Sequence, residues 1–274
     1  MSIELIPAEE KHIEQLSRIC HLAFNTLHER HRVHPDVPTE EVGGLIIGSV
    51  LKRPDYVGRV AVVNGRVVGS NFLLLADDVC GVGRVLMQWA IDEARKRRGE
   101  RARVRLFQEA INTTSLSLYT SLGFCWRDSA AMMNPAPAPS DDASVRPITM
   151  DDLKHVERLS TRHYGASRAN DAARLIEMEF SGFVREREGR VVGYQIATLF
   201  GHSSAETDED LLALAGQTAR RLPESISVII VPMSQDSLFR RALGLGFRVA
   251  KVLNYMSLEA FEAPPGPTLP SIQC

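Results

Sequence analysis

"NTTSLSLYTSLGF", residues 112–124, decides how the chain folds. Leu116, Tyr119 (with Leu118 beside it) and Leu122 fall at helical spacing, which predicts a short amphipathic helix. Asn112, followed by two threonines and Ser115, is a start signal, and Gly123 is a natural left-handed stop. A tyrosine on the inner stripe, one turn before a Gly-Phe stop, has two readings. Either it is half core and half surface, or its hydroxyl points into a cleft where something needs a proton.

Outward from this helix, the chain repeats itself. "KHIEQLS" at 11–17 matches "KHVERLS" at 154–160, and "GRVVG" occurs at 65–69 and again, unchanged, at 189–193. "SLGF" at 121–124 is echoed by "GLGF" at 244–247. The order is the same in both halves, so the chain reads as a tandem duplication. The first half carries the longer segment between its first helix and its hairpin. "NPAPAPSDDAS" at 134–144 has no periodicity and reads as a semi-extended linker. The expected boundaries are 1–134, a Pro/Ala linker at 135–144, and 145–274.

Each half follows one plan. A helix over about residues 9–24 precedes a helical stretch; then the strand "RVAVV" turns at Asn64-Gly65 into "RVVGSNFLLLA". Asn-Gly between two apolar runs is a strong hairpin signal. The helix "GRVLMQWAIDEARKRR" follows, with Leu86, Ala90 and Ala94 on one face. A strand, the tyrosine helix and a final strand complete the half. The fold class is α/β (α+β): two similar domains, each a mixed, mostly antiparallel sheet flanked by helices.

Bulk properties exclude several classes. The chain has 274 residues, 44% hydrophobic and 24% charged, with a formal net charge of −2. That is an ordinary globular profile without the basic footprint of a nucleic-acid binder. The most basic stretch, "RKRRGERARVR" at 95–105, reads as a helix C-terminus, where cations favour the dipole. No apolar run approaches the ~18 residues of a membrane span, and the N-terminus lacks a signal-peptide core. Cys20, Cys80, Cys125 and Cys274 are scattered without metal or disulfide spacing, which points to free thiols in the cytoplasm. No metal site follows from them.

"CGVGR" at 80–84 precedes the third helical segment. Gly81 and Gly83 let the backbone turn tightly and present consecutive N–H groups, which with the helix dipole suits a pyrophosphate. Arg84 offers a charge-assisted contact. Taken alone, this pattern is equally an ordinary tight turn.

With the hairpin before it and the Asn-to-Phe helix after it, the chain resembles the GCN5-related N-acetyltransferases (GNAT), specifically tandem members. The motif Asn112, Ser115, Leu118, Tyr119, Gly123, Phe124 is similar to the family's last motif. The resemblance implies acetyl-CoA as acyl donor, with its pyrophosphate at Gly81, Val82, Gly83, Arg84 and Val85. It also implies Asn112, with Ser115 beside it, at the pantetheine arm and Tyr119 as the acid that protonates the departing thiolate. An unperturbed tyrosine, with a pKa of about 10, stays protonated beside a thiol of about 8.5.

The chain departs from the family in two places. Asp78 stands where the signature has Gln or Arg, and residues 70–83 are fewer than the roughly twenty that two strands, a turn and a cradle need. One strand is expected to be missing before the cofactor loop. In the second half Ala242 matches Tyr119 and Gln235 matches Asn112. Thr207 and Asp210 there form a capping box, with Glu206, Asp208 and Glu209 around it, so four carboxylates are expected to repel a phosphate.

Asp77, Asp78 and Glu109 are candidate bases, with surface solvation the plainer reading for each. "HERHRVH" (His28, His31, His34) fails the zinc pattern HExxH, because Arg32 stands where histidine should. Trp89 and Trp126 are expected in the core or at a domain contact. The function expected is N-acetyl transfer to a primary amine of a small molecule or peptide, with no nucleic-acid or membrane partner. A catalytically inactive ligand-binding or protein-interaction module is the alternative.

Overall fold

The computed structural model describes residues 3–74, 84–99, 102–258 and 261–273. In chain order the elements are β1 (Glu4–Pro7), α1 (Ile13–His31), α2 (Glu40–Leu51), β2 (Tyr56–Val63), β3 (Arg66–Leu74) and α3 (Arg84–Arg98). Then come β4 (Arg105–Glu109), α4 (Thr113–Ser121), β5 (Cys125–Asn134), β6 (Val145–Pro147), α5 (Leu153–His163) and α6 (Ala169–Glu177). β7 (Gly182–Arg187), β8 (Arg190–Ile196), β9 (Ser203–Ala205), α7 (Asp208–Arg221), β10 (Ile229–Pro232), α8 (Asp236–Gly244), β11 (Arg248–Ser257) and β12 (Thr268–Leu269) complete the chain. Among the described residues, no helix is long and apolar enough to cross a membrane.

The sequence repeats fold alike. Both copies of GRVVG turn at a pair of left-handed residues, Asn64-Gly65 (φ 50° and 74°) and Glu188-Gly189 (φ 54° and 71°). Each then makes a bulge at the same place. Val62 pairs with Val67 but Ala61 with Gly69; Glu186 pairs with Val191 but Arg185 with Gly193. One extra residue, Val68 or Val192, is thereby inserted, which bends the hairpin. In the first helix of each half a serine back-bonds to the preceding turn at 2.6 Å, Ser17 to the Ile13 carbonyl and Ser160 to the Val156 carbonyl. The Gly-Phe stops agree as well. Gly123 and Gly246 are left-handed, and the Phe124 and Phe247 amides donate to the carbonyls of Tyr119 and Ala242 at 3.1 Å. Both phenylalanines are buried, each contributing roughly 1.5–3 kcal/mol.

The chain forms two compact units that cut across the halves. One comprises residues 1–75, 79–104 and 111–124; the other 76–78, 105–110 and 125–274. In the first, β1, β2 and β3 form a three-stranded antiparallel sheet. α3 buries Met87, Ala90, Ile91 and Ala94, a helical stripe that matches the expected face at Ala90 and Ala94. Leu86 is only half-buried, and its carbonyl accepts from Asn71 Nδ2 at 3.1 Å. Trp89 is half-buried under the Arg59 guanidinium, 5.1 Å from its ring centre.

In the second unit, β6, β7, β8, β9 and β12 form a five-stranded sheet. A four-stranded sheet has the order β10-β5-β11-β4. Its strands come alternately from the two sequence halves. β5, which ends the first half, lies between β10 and β11, and β11, which ends the second, lies between β5 and β4. The halves thus exchange their last strands, an arrangement that no local pattern announces. Every described pairing is antiparallel. Trp126, on β5, is 57% exposed and so is no core residue: it lies beyond the strand's buried stretch of Ala130 to Met133.

Candidate functional site

The tyrosine helix forms as its sequence dictates. Asn112 is the N-cap of α4, its Oδ1 accepting from the Ser115 amide at 3.0 Å, while Ser115 Oγ donates back to the Asn112 carbonyl at 3.0 Å. These two expected cofactor contacts therefore stand together at one helix end, held in position by each other. Tyr119 lies two turns on, half-buried, with its ring 6.0 Å from that of Phe124 and tilted by 59°. Burial pushes its hydroxyl pKa above the ordinary value of 10. It keeps its proton at neutral pH, as a donor must. Among the described residues no hydrogen bond occupies that hydroxyl.

Arg84 and Val85 form the first turn of α3. Gly81, Val82 and Gly83, together with Asp77, Asp78 and the expected missing strand, lie outside the described residues. Glu109 sits on β4, and its Oε1 accepts from Lys251 Nζ at 2.9 Å. An engaged carboxylate is a poorer base than a solvated one. His28 is buried, and its Nδ1 accepts from the Asp36 amide at 3.3 Å, anchoring the segment that follows α1.

The second half is built differently at each matching position. Ala242 is fully buried where Tyr119 would stand. Gln235 leaves its helix uncapped and turns to the C-terminal strand. Its Oε1 accepts from the Thr268 amide at 3.1 Å, and its Nε2 donates to the Thr268 carbonyl at 3.1 Å and hydroxyl at 3.2 Å. β12 itself pairs with β9.

At the α7 start, Thr207 Oγ1 accepts from the Asp210 amide at 3.1 Å and donates to its carboxylate at 2.7 Å. Two of the four carboxylates expected to repel a phosphate there are already paired. Asp210 is bonded by Arg187 at 2.9 Å, and Glu206 by Arg190 at 2.6 Å and Arg158 at 2.9 Å. The arginines balance these two carboxylates, and the protein's own groups already fill the helix terminus.

Sequence reasoning missed one polar cluster. Tyr194, His202, Asp171 and Arg168 are all buried in the second unit. Tyr194 Oη lies 2.8 Å from His202 Nδ1, His202 Nε2 lies 3.6 Å from Asp171, and Arg168 donates to Asp171 at 2.9 Å. Burial first, then the Arg168 charge, pushes the His202 pKa down to about 3. The ring is neutral, and with its proton on Nε2 toward the carboxylate, Nδ1 accepts from Tyr194. Arg168 with Asp171 and Tyr194 with His202 are two local pairs that only the fold brings together, so no motif spacing reveals the cluster.

Solved structures share this architecture. A protein from Pyrococcus horikoshii described as an acetyltransferase candidate superposes with a TM-score of 0.70 at 13% identity, over 97% of this chain and 91% of its own. A tandem GNAT protein from the clavulanic acid biosynthesis pathway gives 0.58 at 16%, over 97% and 99%. The chain has the tandem GNAT fold. A GCN5-related N-acetyltransferase from Sphaerobacter thermophilus agrees, at 0.57 and 15%, over 97% of each chain. No protein-family profile matches the sequence, and no curated protein matches it either.

Proposed function

We propose that the protein is a cytoplasmic N-acetyltransferase that moves an acetyl group from acetyl-CoA to a primary amine of a small molecule or peptide. The observation that carries this reading is the half-buried, proton-retaining Tyr119 on a helix capped by Asn112, to which Ser115 is bonded. The thioester supplies an activated carbonyl carbon. Asn112 and Ser115 orient the pantetheine arm. Gly81, Val82, Gly83, Arg84 and Val85 hold the pyrophosphate. As the amine nitrogen bonds to the carbonyl carbon, the carbon–sulfur bond breaks and Tyr119 Oη gives its proton to the thiolate. The amine loses a proton to water, and the phenolate recovers one from solvent. No metal enters this scheme.

Asp78 and the short stretch at 70–83 support a second reading, an inactive module that binds a ligand or a protein. Calorimetric titration with acetyl-CoA, followed by a thiol-release assay against a panel of primary amines, separates the two. Acetyl transfer gives binding and amine-dependent thiol release. Binding without release from any amine supports the inactive module.

A further inference from the structure

Residues 261–273 meet the second unit through contacts of the kind a bound peptide makes. Their strand, β12, lies at the edge of the five-stranded sheet, with Thr268 opposite Ser204 and Leu269 opposite Ser203 of β9. It also packs beside β10, the edge strand of the four-stranded sheet. Gln235 grips both main-chain groups of Thr268, accepting from its amide at 3.1 Å and donating to its carbonyl at 3.1 Å. The Ala205 amide donates to the Pro267 carbonyl at 3.2 Å, and the Ile272 amide donates to the Leu199 carbonyl at 2.8 Å. Two side chains anchor the segment. Leu269, 3% exposed, joins the cluster of Ala205, Leu211 and Leu238, and Ile272 packs against that of Ala130, Ile230 and Leu253. Main-chain pairing plus pockets for spaced side chains is how an extended peptide is recognised at a sheet edge.

Two further observations separate this slot from ordinary packing. Ala197 and Thr198, which lead to Leu199, are consecutive non-glycine residues at φ 50° and 43°. A β-branched residue there is strained, and such strain clusters where backbone is held for recognition. The group held here is the Leu199 carbonyl that Ile272 takes. In addition, Gln235 stands where the first half has Asn112, which caps its own helix. Gln235 leaves its helix uncapped and turns its amide to the segment instead.

We propose that the second unit carries a slot for an extended peptide strand, built from β9, Gln235 and two apolar pockets. The chain's own Thr-Leu-Pro-Ser-Ile, residues 268–272, occupies it in cis as an exchangeable ligand. The tether at 261–267 has no helix or strand to unfold on release. A released segment leaves the slot open to the same sequence in trans, from a second copy of this chain. The slot uses only residues of the second unit and needs no acyl donor, so it stands apart from the acetyl-transfer reading.

The test uses the full chain with a thrombin site inserted between the exposed Glu262 and Ala263. After cleavage the protein should still melt cooperatively. A fluorescein-labelled peptide of residues 263–273 should then exchange into it, saturating at one per chain in fluorescence anisotropy. The uncut chain, whose tethered segment has a high effective concentration at the slot, should bind that peptide at least about a hundredfold more weakly. Leu269→Asp in the peptide should weaken binding by at least about tenfold, with the protein itself untouched. Gln235→Leu in the cleaved protein should weaken it by roughly three- to tenfold. Cleaved protein that takes up no peptide, equal binding of the Leu269→Asp peptide, or equal binding by cut and uncut chains overturns the proposal. Unfolding on cleavage overturns it too, because the segment would then be core and no ligand.

Discussion

Lys251 Nζ donates to Glu109 Oε1 at 2.9 Å, tying the chain's last long strand to a strand of its first half. The side chains are only 12% and 13% exposed, so neither charge is well solvated. Beside them Asn254 Nδ2 donates to Gln108 Oε1 at 2.7 Å, and the Tyr255 and Phe107 rings stack with centres 4.6 Å apart. This ladder fixes the register of the exchanged strands.

Lys251→Met therefore removes the lysine partner of a poorly solvated carboxylate. We expect a loss of about 1–3 kcal/mol in urea unfolding, with partial recovery when Glu109→Gln is added. Coincident curves for the parent and Lys251→Met would show that the pair contributes nothing to stability.

His202 makes stability fall on mild acidification. Its folded pKa of about 3 lies below the ordinary 6.5, so below pH 6.5 the unfolded chain takes up a proton that the folded chain refuses. Stability is then lost as pH drops from about 6.5 toward 3, by up to about 1.4 kcal/mol per pH unit. Urea midpoints measured between pH 7 and 5 should decline, and His202→Asn, which still accepts from Tyr194, should flatten the decline. Equal slopes for the two proteins would remove His202 from the account.

Stoichiometry follows from the asymmetry of the halves. Asp210 and Thr207 occupy the α7 terminus, Gln235 is committed to Thr268, and Ala242 offers no proton. One acetyl-CoA per chain is expected in calorimetry. Two sites of comparable affinity would contradict that asymmetry.

Much of this fold was legible because its signals are local. The GRVVG turns and the Gly-Phe stops each depend on a few neighbouring residues. Asn112 as a cap and Tyr119 on a half-buried stripe were legible for the same reason. The strand exchange was not, because β5 and β11 are chosen by partners more than a hundred residues away. Trp126 shows the cost. Its apolar character suggested the core or a domain contact, and the exchanged strand carries it past the buried stretch. The Tyr194–His202–Asp171 cluster likewise exists only once the fold assembles it.

The account rests most heavily on Tyr119. Tyr119→Phe keeps the ring beside Phe124, so the melting temperature should change little. It removes only the proton for the thiolate, and general acid–base groups contribute roughly 10²–10⁴-fold. The decisive measurement is the rate of thiol release with a good amine acceptor at neutral pH, for parent and variant, alongside thermal melts and acetyl-CoA titration. A drop in that range, with binding and melting intact, is the predicted result. A phenylalanine variant that acetylates as fast as the parent would reduce Tyr119 to a packing residue and contradict the mechanism.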